Sequence, residues 1–171
     1  MKNTVLRFGL IAAGVLVVMM LISLLSMRNQ SMDFGAAEIF GYLTMLAALS
    51  MVFFGIRNWK NQQVDPLTFK QGFLVGLYIT LIASVIYVIS WMVLSNWLAP
   101  DFADLYFDKF IEELRASDQP IAEIEAQVEK YEANKEMYKK PLVQIGMTFL
   151  EIFPIGLMVT LISALILRQK K

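Results

Sequence analysis

Four stretches almost free of charge constrain this chain more than any other feature. Phe8–Met27 runs 20 residues between Arg7 and Arg28, and Ile39–Ile56 runs 18 between Glu38 and Arg57. Gln71–Pro100 runs 30 between Lys70 and Asp101, and Pro141–Leu167 runs 27 between Lys140 and Arg168. Only the fourth holds a carboxylate, Glu151. A helix crosses ~30 Å of hydrocarbon with ~20 mostly apolar residues, so all four are long enough, the second barely. Inside a bilayer no water satisfies the backbone, which leaves helices as the sensible form at this length.

These windows predict an all-α polytopic membrane protein with transmembrane helices at about 5–27, 36–57, 69–99 and 142–167. An extramembrane helical hairpin is expected at about 101–140, and 1–171 reads as a single membrane domain. Lys2 and Arg7 resemble the basic start of a signal peptide. The apolar run after them is longer than a signal peptide's core and "LLSMRN" offers no small-residue cleavage site, so the first span reads as retained.

The chain has no histidine and no cysteine, which excludes thiolate and imidazole metal sites and catalysis by Cys/His or Ser/His pairs. No cofactor is expected. Formal net charge is zero, so no nucleic-acid partner is implied. The distribution of charge is more telling. Lys2, Arg7, Arg57, Lys60, Lys70, Arg168, Lys170 and Lys171 crowd into short segments on one side of the expected bundle. The positive-inside rule weights such short flanks, and it predicts an inner-membrane protein with both termini cytoplasmic. Trp59 and Trp97 fall where an interfacial aromatic belt would put them.

Residues 101–140 hold eleven acidic and six basic side chains, a net charge of −5. "PDFADLYFDKFIEELRAS" reads as an amphipathic helix with Phe102, Leu105, Tyr106, Phe110, Ile111 and Leu114 on one face. A second helix follows, with Ser117 or Asp118 as its expected N-cap and Pro120 in its first turn.

The segments "FFGIRNWKNQQVDPLTFKQGFLVGL", "SVIYVISWMVLSNWLAPDF" and "TFLEIFPIGLMVTLISALILRQK" resemble the four-helix membrane proteins grouped as domain of unknown function 4199, typical of the Bacteroidetes. The resemblance runs over nearly the whole chain. It implies a multi-pass inner-membrane protein with no assigned activity, and it carries over no catalytic residue.

Glu151 is the most conspicuous candidate site. A charge at the centre of a transmembrane helix costs roughly 2.5–3.5 kcal/mol on insertion scales, so such residues are functional candidates by default. At ~1.5 Å per residue Glu151 lies about 13 Å in from Leu142, in the outer half of the span. Tyr87 and Ser90 of the third span and Thr44 of the second should share that level, with Thr148 one turn away and Pro154 interrupting the helix three residues on. No lysine or arginine lies at that depth, which favours the neutral, hydrogen-bonding acid. Three readings follow: a polar clasp between helices, a proton- or cation-handling group, or a ligand or lipid contact.

Gly72, Gly76, Thr80 and Ser84 recur every four residues in the third span, a stripe of small side chains that permits close helix approach. Packing within the chain or against a second subunit would each use it. The sequence therefore points to a non-enzymatic scaffold or accessory subunit, with the lipid bilayer and a homo-oligomer or another membrane protein as partners. The alternative is a small proton-linked transporter or channel using Glu151. Because the chain lacks cysteine, one introduced at Glu123 is a unique label for orientation. It should react with an impermeant maleimide in intact cells. Reaction only after the cytoplasm is opened would reverse the assigned orientation.

Overall fold

In a computed structural model, which describes residues 1–28 and 34–169, the chain is all-α and forms six helices. They are α1 (Lys2–Arg28), α2 (Phe34–Asn61), α3 (Phe69–Leu98), α4 (Phe102–Arg115), α5 (Ile121–Tyr138) and α6 (Pro141–Leu167). Lys170 and Lys171, two of the basic residues used to assign orientation, lie outside the described residues. Four helices are long and apolar enough to cross a membrane, over Lys2–Ser26, Ile39–Asn61, Phe69–Leu98 and Pro141–Leu167. They overrun the expected apolar windows by a few residues, because Lys2, Arg57 and Lys60 continue the helix while their long stems carry the charge outward.

Local chemistry sets the ends. Pro66 lies in the turn between α2 and α3, and Thr68 caps α3: its hydroxyl accepts from the Gln71 amide at 3.3 Å. The Gln71 side chain in turn accepts from the Thr68 amide at 3.0 Å, closing a capping box. Pro141 occupies the first turn of α6, where a missing N–H costs nothing. Despite Pro154, α6 is assigned as one continuous helix.

The four long helices pack in the ring order α1–α2–α6–α3, and α2 also touches α3 across the ring. At the end that holds the start of α1 and the close of α6, packing is very tight. A Cβ at Gly76 would meet Thr160 Cγ2 at 2.7 Å and Ile56 Cδ1 at 3.0 Å, and one at Gly156 would overlap the Thr80 side chain. Likewise a Cβ at Gly9 would lie 3.0 Å from Ile82. Gly72, Gly76, Thr80 and Ser84 are all buried, and the first three of them lie against α6. Thr80 Oγ1 donates to the Gly156 carbonyl at 3.3 Å and sits 3.1 Å from Thr160 Oγ1. Leu49, Val52, Ile56, Val75 and Ile79 fill the space alongside. A strap finishes this end: the Gln169 amide donates to the Leu67 carbonyl at 2.9 Å, and Leu67 is fully buried. Trp59 packs against this core rather than standing clear of it, whereas Trp97 is exposed.

The opposite end is looser. Cβ atoms added at Gly41 or Gly146 would meet nothing within 4 Å. Here α4 and α5 lie against each other, with Lys135 Nζ 3.1 Å from Asp104 and 2.7 Å from Asp108. Two local expectations are corrected, the first only at Leu105 and Phe107. On α4 the buried side chains are Phe107 and Ile111, while Leu105 is exposed. The Phe107 ring turns inward because Tyr131 and Tyr138 of α5 pack against it. Secondly, α5 begins at Ile121, after Pro120, and neither Ser117 nor Asp118 caps it. The Ser117 hydroxyl closes α4 by donating to the Leu114 carbonyl at 2.7 Å, and the Pro120 carbonyl takes the first amides of α5.

The contrast between the two ends makes a direct prediction. Gly156→Ala should destabilise the protein in detergent by roughly 1–3 kcal/mol through overpacking against Thr80. Gly146→Ala, with open space around it, should be neutral or stabilising by up to about 1 kcal/mol from helix propensity. Thermal unfolding of the two variants measures both.

An aromatic cavity beside Glu151

The loose end holds a partly open cavity of about 340 Å³ to which all six helices contribute. Leu16, Met20 and Leu24 of α1 and Met45 of α2 supply an apolar floor. Tyr87 and Trp91, one turn apart on α3, form one wall. Phe102, Tyr106 and Phe107 of α4, with Tyr138 of α5, close it from above. The remaining wall comes from Phe40, Tyr42 and Thr44 of α2 and from Met147, Thr148 and Glu151 of α6. Met147, Thr148 and Glu151 share a face because they are three or four residues apart.

The aromatic roof is internally braced. Trp91 and Phe102 meet edge to face at 5.0 Å, Phe102 and Tyr106 stack at 5.6 Å, and Phe107 meets Tyr138 at 6.1 Å. The Trp91 indole N–H donates to the Tyr138 hydroxyl at 3.0 Å, tying α3 to α5. Burial raises the Tyr138 phenol above its ordinary value, while hydrogen bonding to Trp91, Gln144 and Thr148 works the other way. The Glu151 carboxylate lies within electrostatic reach of both Tyr87 and Tyr138.

Exposure varies around the wall in an informative way. Leu16, Met20, Leu24, Met45, Phe107 and Thr148 are buried. Of the lining residues only Tyr42, Met147 and Glu151 are exposed, and these belong to α2 and α6. The exposed part of the lining therefore lies on two neighbouring long helices, α2 and α6. Glu151 is exposed there and is not sealed between helices.

Of the candidate residues named from sequence, Glu151, Thr148, Tyr87 and Thr44 meet at this cavity. Ser90 and Pro154 do not: Ser90 is half-buried elsewhere on α3, and Pro154 is exposed on the outer surface of α6. The Thr44 hydroxyl is turned back on its own helix, donating to the Phe40 carbonyl at 2.7 Å. Residues missed from sequence are the aromatic ones. Trp91, Tyr106, Phe107 and Tyr138 lie on three different helices, and only the i, i+4 spacing of Tyr87 and Trp91 gave any hint of a shared wall. Among the described residues no cluster of three or more carboxylates could hold a metal ion.

Four long apolar helices, joined to two shorter ones that roof a cavity, define a helical protein of membrane-protein type. The chain belongs to the family described as "Protein of unknown function (DUF4199)", which matches it over residues 7–169. No curated protein and no solved structure matches it.

The roof is held by charge as well as by rings. Hydrogen bonds from Lys139 and then Lys135 hold the Asp104 carboxyl below the usual carboxylate range. Both lysines are raised in return, Lys135 chiefly by Asp108 and Lys139 chiefly by Glu136. A lowered folded value means that this stabilisation is complete above the unfolded Asp value of about 3.9 and fades as pH falls through the lower folded one. Acidification below about pH 4 should therefore loosen α5 from α4, seen as proteolysis in the 116–120 turn by an acid-active protease. Asp104→Asn should remove most of that pH dependence, and the effect is modest because the pair is exposed.

Proposed function

We propose that this is a multi-pass inner-membrane protein that receives a small amphipathic molecule in the cavity beside Glu151, entering sideways from the bilayer. One observation carries the reading: a cavity of about 340 Å³ whose exposed lining residues all belong to α2 and α6. That volume falls at the small end of ligand pockets, and the mixture of apolar walls with a few polar groups is what such pockets share. Both termini are cytoplasmic in this proposal and the α4–α5 hairpin lies outside, by the density of basic residues in the short segments. The cavity then opens into the outer leaflet.

The role is binding and not catalysis. The chain has no histidine or cysteine, and Glu151 is the single carboxylate of the cavity wall. The scaffold or subunit role suggested by the sequence rests on two surfaces, the small-residue stripe and the apolar face of the hairpin. The first packs on α6 and the second covers the cavity, so both have uses within the chain. Proton-coupled movement of the ligand is a second reading, favoured by the exposed position of Glu151 on the cavity wall. Liposomes with an imposed gradient test it: proton flux present in the native protein and absent in Glu151→Gln would support it.

Extraction of the protein with its surrounding lipid, followed by native mass spectrometry, tests the main proposal. A retained small molecule that disappears in Thr44→Trp, which fills the cavity, is the expected result. A stable companion protein with no retained molecule would favour the scaffold role instead.

A further inference from the structure

We infer that the group recognised in the cavity is an organic ammonium ion, a substituted or quaternary amine carried on an apolar body. The inference rests on the ligand-binding reading above and names the chemistry of that same site. Aromatic faces attract cations through their ring quadrupoles, most strongly where water is excluded. Here Tyr87, Trp91, Tyr106, Phe107 and Tyr138 converge from three helices on one space, and the wall they leave open holds Glu151. No lysine or arginine lines the cavity among the described residues. The nearby roof lysines are engaged outside it, Lys135 by Asp104 and Asp108, Lys139 by Asp104 and Glu136.

Other ligand classes fit less well. An anion would meet a carboxylate and phenolic oxygens with no lining cation to balance it. A hard metal ion takes six or more oxygen ligands, usually with several carboxylates, and the wall offers one. A purely apolar molecule would make no use of the carboxylate or of the ring quadrupoles. An ammonium ion can lie beside the carboxylate and the aromatic wall together, while its apolar body takes the floor of Leu16, Met20 and Leu24. A sideways entry between α2 and α6 suits such a molecule, because amphipathic amines collect at the membrane interface with their charge outward.

Three probes of similar shape test this on the native protein: benzyltrimethylammonium, its uncharged carbon isostere neopentylbenzene, and phenylmethanesulfonate. The chain has three tryptophans, and Trp59 and Trp97 lie off the cavity. A Trp59→Phe/Trp97→Phe background therefore makes Trp91 the sole fluorescent reporter. The ammonium probe should change Trp91 emission saturably, the neutral isostere should bind on the order of tenfold more weakly, and the sulfonate should not bind. Glu151→Gln should bring the ammonium affinity down toward that of the isostere, and Ser90→Ala, off the cavity, should leave it unchanged. Ammonium groups also occur on lipid headgroups, so the measurement is repeated in discs of phosphatidylglycerol with and without phosphatidylethanolamine. Competition by the second lipid identifies a headgroup as the source, and its absence a free amine. Equal binding of the cation and the isostere, unaltered by Glu151→Gln, would overturn the ammonium assignment and leave the cavity reading standing. Failure of all three probes, in a protein that also carries no retained molecule, would remove both.

Discussion

The close approach of α3 and α6 is the contact on which the rest of the structure depends. In a bilayer, lipid tails compete with apolar side chains on equal terms, so helices associate through close packing and polar contacts and not through exclusion of water. Gly76 and Gly156 remove the side chains that would hold these two helices apart, and Thr80 and Thr160 then reach each other at 3.1 Å. The Gly156 carbonyl already belongs to a helix, so the hydroxyl of Thr80 uses its second lone pair and disrupts nothing. Each hydrogen bond of this kind contributes little alone, ~0.6 kcal/mol on average in a measured case. Their importance is geometric: they fix the spacing at one end of the bundle.

Fixing one end leaves the other free to differ. Small residues give way to large ones along the same helix, from Gly72, Gly76, Thr80 and Ser84 to Tyr87 and Trp91. Rings of that size hold the helices apart, and the space they create is not filled by the four long helices alone. The roof comes from α4 and α5, whose rings brace one another and whose indole–phenol bond from Trp91 to Tyr138 anchors them to α3.

How much of this the sequence disclosed follows from how local each signal is. The four long helices were legible because exclusion of charge over 18 or more residues is a property of one segment at a time. The Gly72/Gly76/Thr80/Ser84 stripe was legible for the same reason, although its partner α6 was not. Glu151 stood out as the one ionisable side chain within an otherwise uncharged run. Ser90 illustrates the limit: depth along a helix placed it beside Glu151, but depth does not specify a face. With ~3.6 residues per turn Ser90 is rotated ~100° from Trp91, and it is Trp91 that reaches the cavity. On α4 the expected apolar face is largely kept, but Leu105 is exposed and Phe107 joins the face through contacts with Tyr131 and Tyr138.

Cavities of this composition are the least local feature of all, since no two of the six helices define the space. Yet the segregation of side chains that makes it possible is visible once the helices are laid antiparallel. The terminal half of the bundle holds Gly9, Gly55, Gly72, Gly76 and Gly156, where an added Cβ meets a neighbour. The other half holds the rings that line the cavity, and the carboxylate. A small-residue end gives rigidity without volume, and an aromatic end gives volume together with a surface that attracts positive charge. An ionisable residue in an apolar helix is expensive and is found facing a cavity or a polar contact, and Glu151 lines such a cavity. The only carboxylate of the four apolar runs thus lies beside the space that the aromatic end creates.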